Sequence, residues 1–277
     1  MIQNQRDHTK YAVSIHWSPR SGDYLVTASH DKTVNLYQRE TVPPAEESLS
    51  TSDCNHVAVT MSLKHKLDLK EVPEDVIFCY LPADFTSSSN SSNDESGVEQ
   101  SSGEKVLSAG DVTQQQLHLV VPMRGAAHLL YINCDTFLHR KVSLNEHSWD
   151  THCSFNVLHM SLSPSGKQLL VATDKDFHII LKIGTNKRLC LLAGHMCNDY
   201  GKPKTAWDMT GKYVYSNNQA DHNVLVYAVN TGKIAATLVG HKGQIRDIKR
   251  HPGGVRAILT ASYDHIVREW VREEATC

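Results

Sequence analysis

Residues 238–270 read LVGHKGQIRDIKRHPGGVRAILTASYDHIVREW, which puts three histidines, two aspartates and one serine into 33 residues. That content suits an acid/base cluster, a metal site or a structural polar network. What decides among them is that the pattern recurs.

Leu192-Ala-Gly-His195 answers Leu238-Val-Gly-His241 at a distance of 46 residues, and the run from Asp221 to Tyr227 answers the run from Asp264 to Trp270 at 43. One unit earlier, Val157 to Lys167 reads as a strand ending in a Ser-Pro-x-Gly turn. Gln168–Thr173, Phe177–Ile183 and Lys187–Leu192 follow as short runs of β-branched, aromatic and aliphatic residues divided by turn residues. At the N-terminus, Ala12 to Pro19 and Tyr24 to Tyr37 repeat the design. Ser29-His30-Asp31 stands at the same offset from Tyr37 as Ser262-Tyr263-Asp264 does from Trp270, and His8 takes the place of the Gly-His histidine behind Asp7. Between residues 56 and 147 the pattern is weaker: Val76–Pro82, Leu117–Val121, Ala127–Ile132 and Phe137–Leu144 read as four strands without the turn Asp or the closing aromatic.

A unit of this length carrying Gly-His, then Asp, then an aromatic resembles the WD-repeat (WD40) β-propeller family, in which each repeat forms a four-stranded antiparallel blade. The resemblance implies an all-β fold with five recognisable blades. Their approximate bounds are 8–68, 72–147, 153–195, 196–241 and 242–277, the last closed by 1–7. Five is fewer than the seven blades usual in the family, which leaves a small ring, an open arc completed by a partner, or a partial seven-bladed ring as alternatives. Residues 86–102, TSSSNSSNDESGVEQSS, hold eight serines and one aliphatic side chain, and are expected to be a disordered insertion. Within it Ser91, Ser92 and Ser96 each precede an acidic residue by three positions, the pattern of acidophilic kinase sites. Thr41–Asp53 reads as a lengthened polar connection between the third and fourth strands of blade one.

Composition narrows the function classes. Lys and Arg number 28 against 30 Asp and Glu, so no global field would hold nucleic acid or an anionic membrane. Seven cysteines without a CxxC pair, and no apolar leader, predict a reducing, intracellular compartment, cytoplasmic or nuclear. No apolar run approaches the roughly 20 residues of a membrane span. The close pairs His147/His152 and His195/Cys197 have no second pair to complete a zinc site, and no nucleophile elbow or phosphate-binding glycine loop is present. No cofactor, metal or catalytic residue is expected. His241, Ser262 and Asp264 have the makeup of a Ser-His-Asp set, yet His8, Ser29 and Asp31 repeat it, and repetition argues for structure rather than catalysis.

By resemblance, these residues form the hydrogen-bonded network that fixes one blade on the next: His8, Ser29, Asp31 and Tyr37 in blade one, and His241, Ser262, Asp264 and Trp270 in blade five. His195, Asp221 and Tyr227 form it in blade four, where Asn217 to Gln219 stand in place of Ser or Thr. Function then falls to the loops on the top face, where the family binds peptides or domains. Tyr11, His30, Trp149, Tyr200, Lys202, Arg246 and Tyr263 are the candidate partner-binding residues, aromatic and cationic side chains being those that dominate interfaces. The expected function is a non-enzymatic scaffold or adaptor in a multi-subunit intracellular complex. The alternatives are a substrate receptor of a cullin-type ubiquitin ligase, an RNA-associated propeller using the basic last two blades, and a propeller hydrolase.

Overall fold

The computed structural model describes residues 6–42, 58–86, 115–145, 147, 150, 152–197, 201–251 and 257–271. Among them lie nineteen strands and no helix. Blade one is β1 (Ala12–Trp17), β2 (Tyr24–Ser29), β3 (Thr33–Val42) and β4 (Ala58–Asp68). Blade two is β5 (Ile77–Pro82), β6 (Gln115–Pro122), β7 (His128–Asn133) and β8 (His139–Ser143). Blade three is β9 (Val157–Leu162), β10 (Gln168–Thr173), β11 (Phe177–Lys182) and β12 (Arg188–Ala193). Blade four is β13 (Thr205–Trp207), β14 (Tyr213–Asn217), β15 (Val224–Ala228) and β16 (Lys233–Leu238), and blade five is β17 (Ile245–Arg250), β18 (Ala257–Ser262) and β19 (Val267–Val271). Each sheet is antiparallel in sequence order. Four have four strands, and the fifth has three among the described residues. The arrangement is a five-bladed β-propeller, and the weakly patterned blade two forms its four strands like the others.

The turn between the second and third strands shows why the Asp recurs. Asp31, Asp221 and Asp264 each accept, through Oδ1, the backbone N–H two residues on, from Thr33 (3.0 Å), Asn223 (3.1 Å) and Ile266 (3.0 Å). The residue between, Lys32, His222 or His265, sits at φ +62 to +69°. This Asx turn supplies the left-handed step that a tight connection needs where no glycine is present.

Apolar residues pack between successive blades. Val26, Val34 and Leu36 of blade one meet Phe78, Leu119 and Val121 of blade two. Ile77, Val120 and Tyr131 meet Met160, Val171 and Ile179 of blade three. Leu170 and Ile180 meet Val214 and Tyr227 of blade four, and Ala206 and Val224 meet Ile245, Ile248 and Ile258 of blade five. The innermost strands touch in succession from β1 to β5, β9, β13 and β17, and among the described residues the contact between β17 and β1 is weaker than any of these.

One pair of residues marks that seam. Trp207 pairs with Val214, which pairs with Tyr227; Trp17 pairs with Leu25, which pairs with Tyr37. The two tryptophans therefore hold the same place in their blades. Trp207, with its Nε1–H donated to Ser161 O of blade three (3.1 Å), is 4% exposed, whereas Trp17 is 56% exposed. The same strand position is therefore packed in blade four and, among the described residues, exposed in blade one. Ile15, Val267 and Val271 are exposed as well.

The first strands also carry a polar knot. Asp75, fully buried just before β5, accepts from Ser14 Oγ–H of blade one (2.5 Å), Val76 N–H (2.9 Å) and Met160 N–H of blade three (2.7 Å), and His16 Nε2 lies 3.7 Å away. Neighbouring Glu74 pairs with Arg124 of its own blade and with Lys202 Nζ, entering blade four, at 3.3 Å. Burial opposes charge on Asp75, but the groups around it, His16 first and Ser14 after it, hold its carboxyl well below the usual range. Burial lowers His159, beside it, to about 3 despite the carboxylate, so His159 is neutral.

Candidate functional site

In blade five the polar network is a chain. Trp270 Nε1–H donates to Thr260 Oγ1 (2.9 Å), His241 Nε2 lies 2.7 Å from the same oxygen, and His241 Nδ1 lies 2.8 Å from Asp264 Oδ2. A carboxylate can only accept, so His241 carries its proton on Nδ1 and Thr260 donates to Nε2. The hydroxyl at the hub is Thr260 rather than the expected Ser262. Side chains two apart share a face of a strand, and Ser262, at the end of β18, turns to the loop instead, donating to Gly243 O (2.7 Å) and accepting from Asp264 N–H (3.2 Å). Blade one repeats the arrangement with Thr27, whose Oγ1 is 2.7 Å from His8 Nε2, while His8 Nδ1 is 3.2 Å from Asp31 and 2.9 Å from Thr33 Oγ1. Ser29 again serves the loop, donating to Tyr11 O (3.0 Å), and Tyr37 donates to Asp7 (3.0 Å) rather than to His8.

Desolvation opposes the charge on Asp31 and Asp264. Hydrogen bonds outweigh it, from the Thr33 side chain and the N–H groups of Thr9 and Thr33 in one case, and from Lys242 N–H, His241 and Ile266 N–H in the other. Both carboxyls are held well below the usual range.

Blade four departs from the expectation. His195 Nδ1 lies 3.3 Å from Tyr227 OH and Nε2 lies 3.1 Å from Lys175 O, while Asp221 serves only its own turn. The strand hydroxyl read as missing is Ser216, which stands two residues after the partner of Tyr227 as Thr260 stands after the partner of Trp270. Ser216 is taken by His178 (2.8 Å), whose ring stacks on His195 at 3.8 Å. Burial lowers both histidines, keeping the stacked rings neutral. The hydroxyl–imidazole–carboxylate sets have the order of a nucleophilic triad, but Thr260 is 1% exposed and its oxygen already accepts from Trp270. Buried and already bonded on both sides, Thr260 joins the loop before β17 to β18 and β19.

Of the candidate partner-binding residues, four form two pairs at the end of the blades that carries the Asp turns. In blade one the Tyr11 and His30 rings lie 4.4 Å apart, tilted by 31°, and His30 N–H donates to Tyr11 O (3.2 Å). In blade five the Arg246 guanidinium lies 4.8 Å over the Tyr263 ring, and Tyr263 N–H donates to Gln244 O (3.0 Å). His30 and Tyr263 occupy the same position, just before the turn Asp. Tyr11 is 67% and Tyr263 58% exposed. Lys202 instead points to buried Glu74. Trp149, Tyr200, Ser91, Ser92 and Ser96 lie outside the described residues. Of the basic residues in the last two blades, Lys204 is drawn down in pKa by burial, against the pull of Asp75 and Asp247. Among the described residues no cluster of three or more His, Cys, Asp or Glu could hold a metal ion.

Five blades, repeated Asp turns and a recurring His–hydroxyl–aromatic network make up a five-bladed β-propeller, and the sequence comparisons find likeness to WD-repeat proteins at its two ends. The model of the WD domain, G-beta repeat, matches residues 1–38, which reach from the N-terminus into β3, and 232–270, which span β16 to β19. The chain is 36% identical over 80 residues to WD repeat-containing protein 37 of Xenopus tropicalis, a stretch covering 27% of this chain and 16% of that protein. It is 37% identical over 68 residues to WD repeat-containing protein 37 of Homo sapiens, covering 23% and 14%. The matched portion is thus less than a fifth of these relatives' length. The matched stretches are similar to the WD-repeat family, whose propellers in general are non-enzymatic scaffolds that bind protein partners.

Proposed function

We propose that this propeller is a non-enzymatic scaffold that binds a protein partner within an intracellular complex through the top edge of blades five and one, with Tyr11, His30, Arg246 and Tyr263 as contacts. The observation that carries the reading is an exposed tyrosine at this edge in each of the two blades. Tyr11 lies against His30 and Tyr263 lies under Arg246, so each ring is already ordered and binding would spend little conformational entropy on it. Tyrosine and arginine are also the side chains most enriched among residues that dominate interface energies. The described cysteines are free thiols, which supports a reducing compartment.

The test is affinity capture from cytosolic and nuclear extracts, with quantitative mass spectrometry, comparing the wild-type chain with Tyr11→Ala/Arg246→Ala/Tyr263→Ala. All three side chains are exposed or half-buried, so the variant should fold and melt like wild type. A defined protein set captured by wild type and depleted by about tenfold or more in the variant supports the site. Equal capture by both would move the site elsewhere.

A further inference from the structure

At the end opposite the Asp turns, the central channel opens into a cavity of about 890 Å3 to which all five blades contribute. Its charge is one-sided. Arg20 of blade one, Lys167 and Lys182 of blade three, and Lys249 and Arg250 of blade five line it, with no Asp or Glu among the described lining residues. This occurs in a chain whose acids outnumber its bases. Asp247 lies 3.8 Å from Lys249, but both side chains are so exposed that solvent screens the pair. The walls are aromatic: Trp17, Tyr80, Phe85 and Trp207. The Arg20 guanidinium lies over Tyr80 at 4.3 Å, and Tyr80 OH donates to Pro19 O (3.2 Å), so this cation is held in place with its N–H groups still available.

We propose that this lower mouth binds a compact organic polyanion carrying several phosphate groups. Blade three lies across the ring from blades five and one, so the cations form two groups facing each other over the cavity. A single phosphate would reach one group. A ligand with phosphates on opposite sides would engage both and lose little by leaving water, since arginine and lysine supply charge-assisted hydrogen bonds. The volume falls within the range that encloses small organic ligands, and the aromatic walls shelter the ligand's carbon skeleton. Asp75, behind His16 and His159 at the inner end, would keep the anion at the mouth rather than in the channel. The site is remote from the top-face pairs and does not depend on them.

The experiment is isothermal titration calorimetry on the full chain at about 150 mM salt, where exposed charges more than roughly 8 Å apart are largely screened. The phosphate probes are myo-inositol hexakisphosphate and inorganic tripolyphosphate, compared with sulfate and a poly-glutamate peptide. The structure predicts saturable binding of one myo-inositol hexakisphosphate per chain and no comparable binding of sulfate. Lys167→Gln/Lys182→Gln and Arg250→Gln should each weaken it by about tenfold or more, with unchanged melting temperature. Lys10→Gln/Lys242→Gln, exposed on the opposite face, should leave it intact. Equal loss in the opposite-face variant, binding seen only at low salt, or no binding of either phosphate probe would overturn the proposal. Tripolyphosphate binding as tightly as the cyclitol would keep the polyphosphate chemistry and remove the need for a carbon skeleton. Poly-glutamate binding without the phosphate probes would replace the small ligand with an acidic protein.

Discussion

Thr260 and Ser262 sit two residues apart on one face of one strand, yet they do different work. Thr260 joins Trp270 to His241, whereas Ser262 ties a loop. Removing the Thr260 hydroxyl with the near-isosteric Thr260→Val strands a buried indole N–H and a buried imidazole nitrogen. It should cost about 1–3 kcal/mol in urea unfolding, against about 1 kcal/mol for Ser262→Ala. The reverse order would mean that the loop, not the His–Trp junction, anchors the blade. The sequence made the histidine, the Asp and the aromatic legible because their spacings repeat. It misplaced the hydroxyl because both residues satisfy the same alternation, and only register distinguishes them. The same ambiguity hid Ser216 in blade four.

At the scale of the strand, Glu74 and Asp75 matter more than any repeated residue. Ser14 lies 61 residues before Asp75 and Met160 lies 85 after it, so one carboxylate clamps β1 and β9 onto the start of β5. Asp75→Ala would leave Met160 N–H and Ser14 unpaired in the interior. It should cost about 3–5 kcal/mol, the scale seen when one partner of a buried charged contact is removed. Ser14→Ala should cost about 1 kcal/mol. Equilibrium urea unfolding of both variants checks this, and a loss for Asp75→Ala no larger than for Ser14→Ala would reduce the clamp to an ordinary hydrogen bond. No period or motif announces such a residue. It belongs to the weakly patterned blade, and its partners come together only when the ring forms, which is why the fold was readable from spacing and this junction was not.

Across the whole molecule, buried neutral histidines and ionised buried carboxylates set the response to acid. His159, His178 and His195 have folded pKa values below that of an unfolded histidine, so the unfolded chain binds more protons. Their contribution is fully present above about pH 6.5 and is lost as pH falls toward the folded values. Asp75 and Asp31, also depressed, add a second loss below about pH 4, the unfolded carboxylate range. Urea midpoints measured from pH 7.5 down to pH 4.5 should therefore fall, beginning about a unit or two above the carboxylate range, and a flat profile would show these rings to be accessible to protons. The seam between blades five and one has a further, optical consequence. Trp207 is sealed against blade three, Trp270 is tethered in the blade-five network and Trp17 stands in water at the rim of the lower cavity. Their emission should accordingly be heterogeneous: iodide should quench a red-shifted component from Trp17 while the blue-shifted light of Trp207 persists. The seam thus carries its own fluorophore, able to report whatever comes to rest beside it.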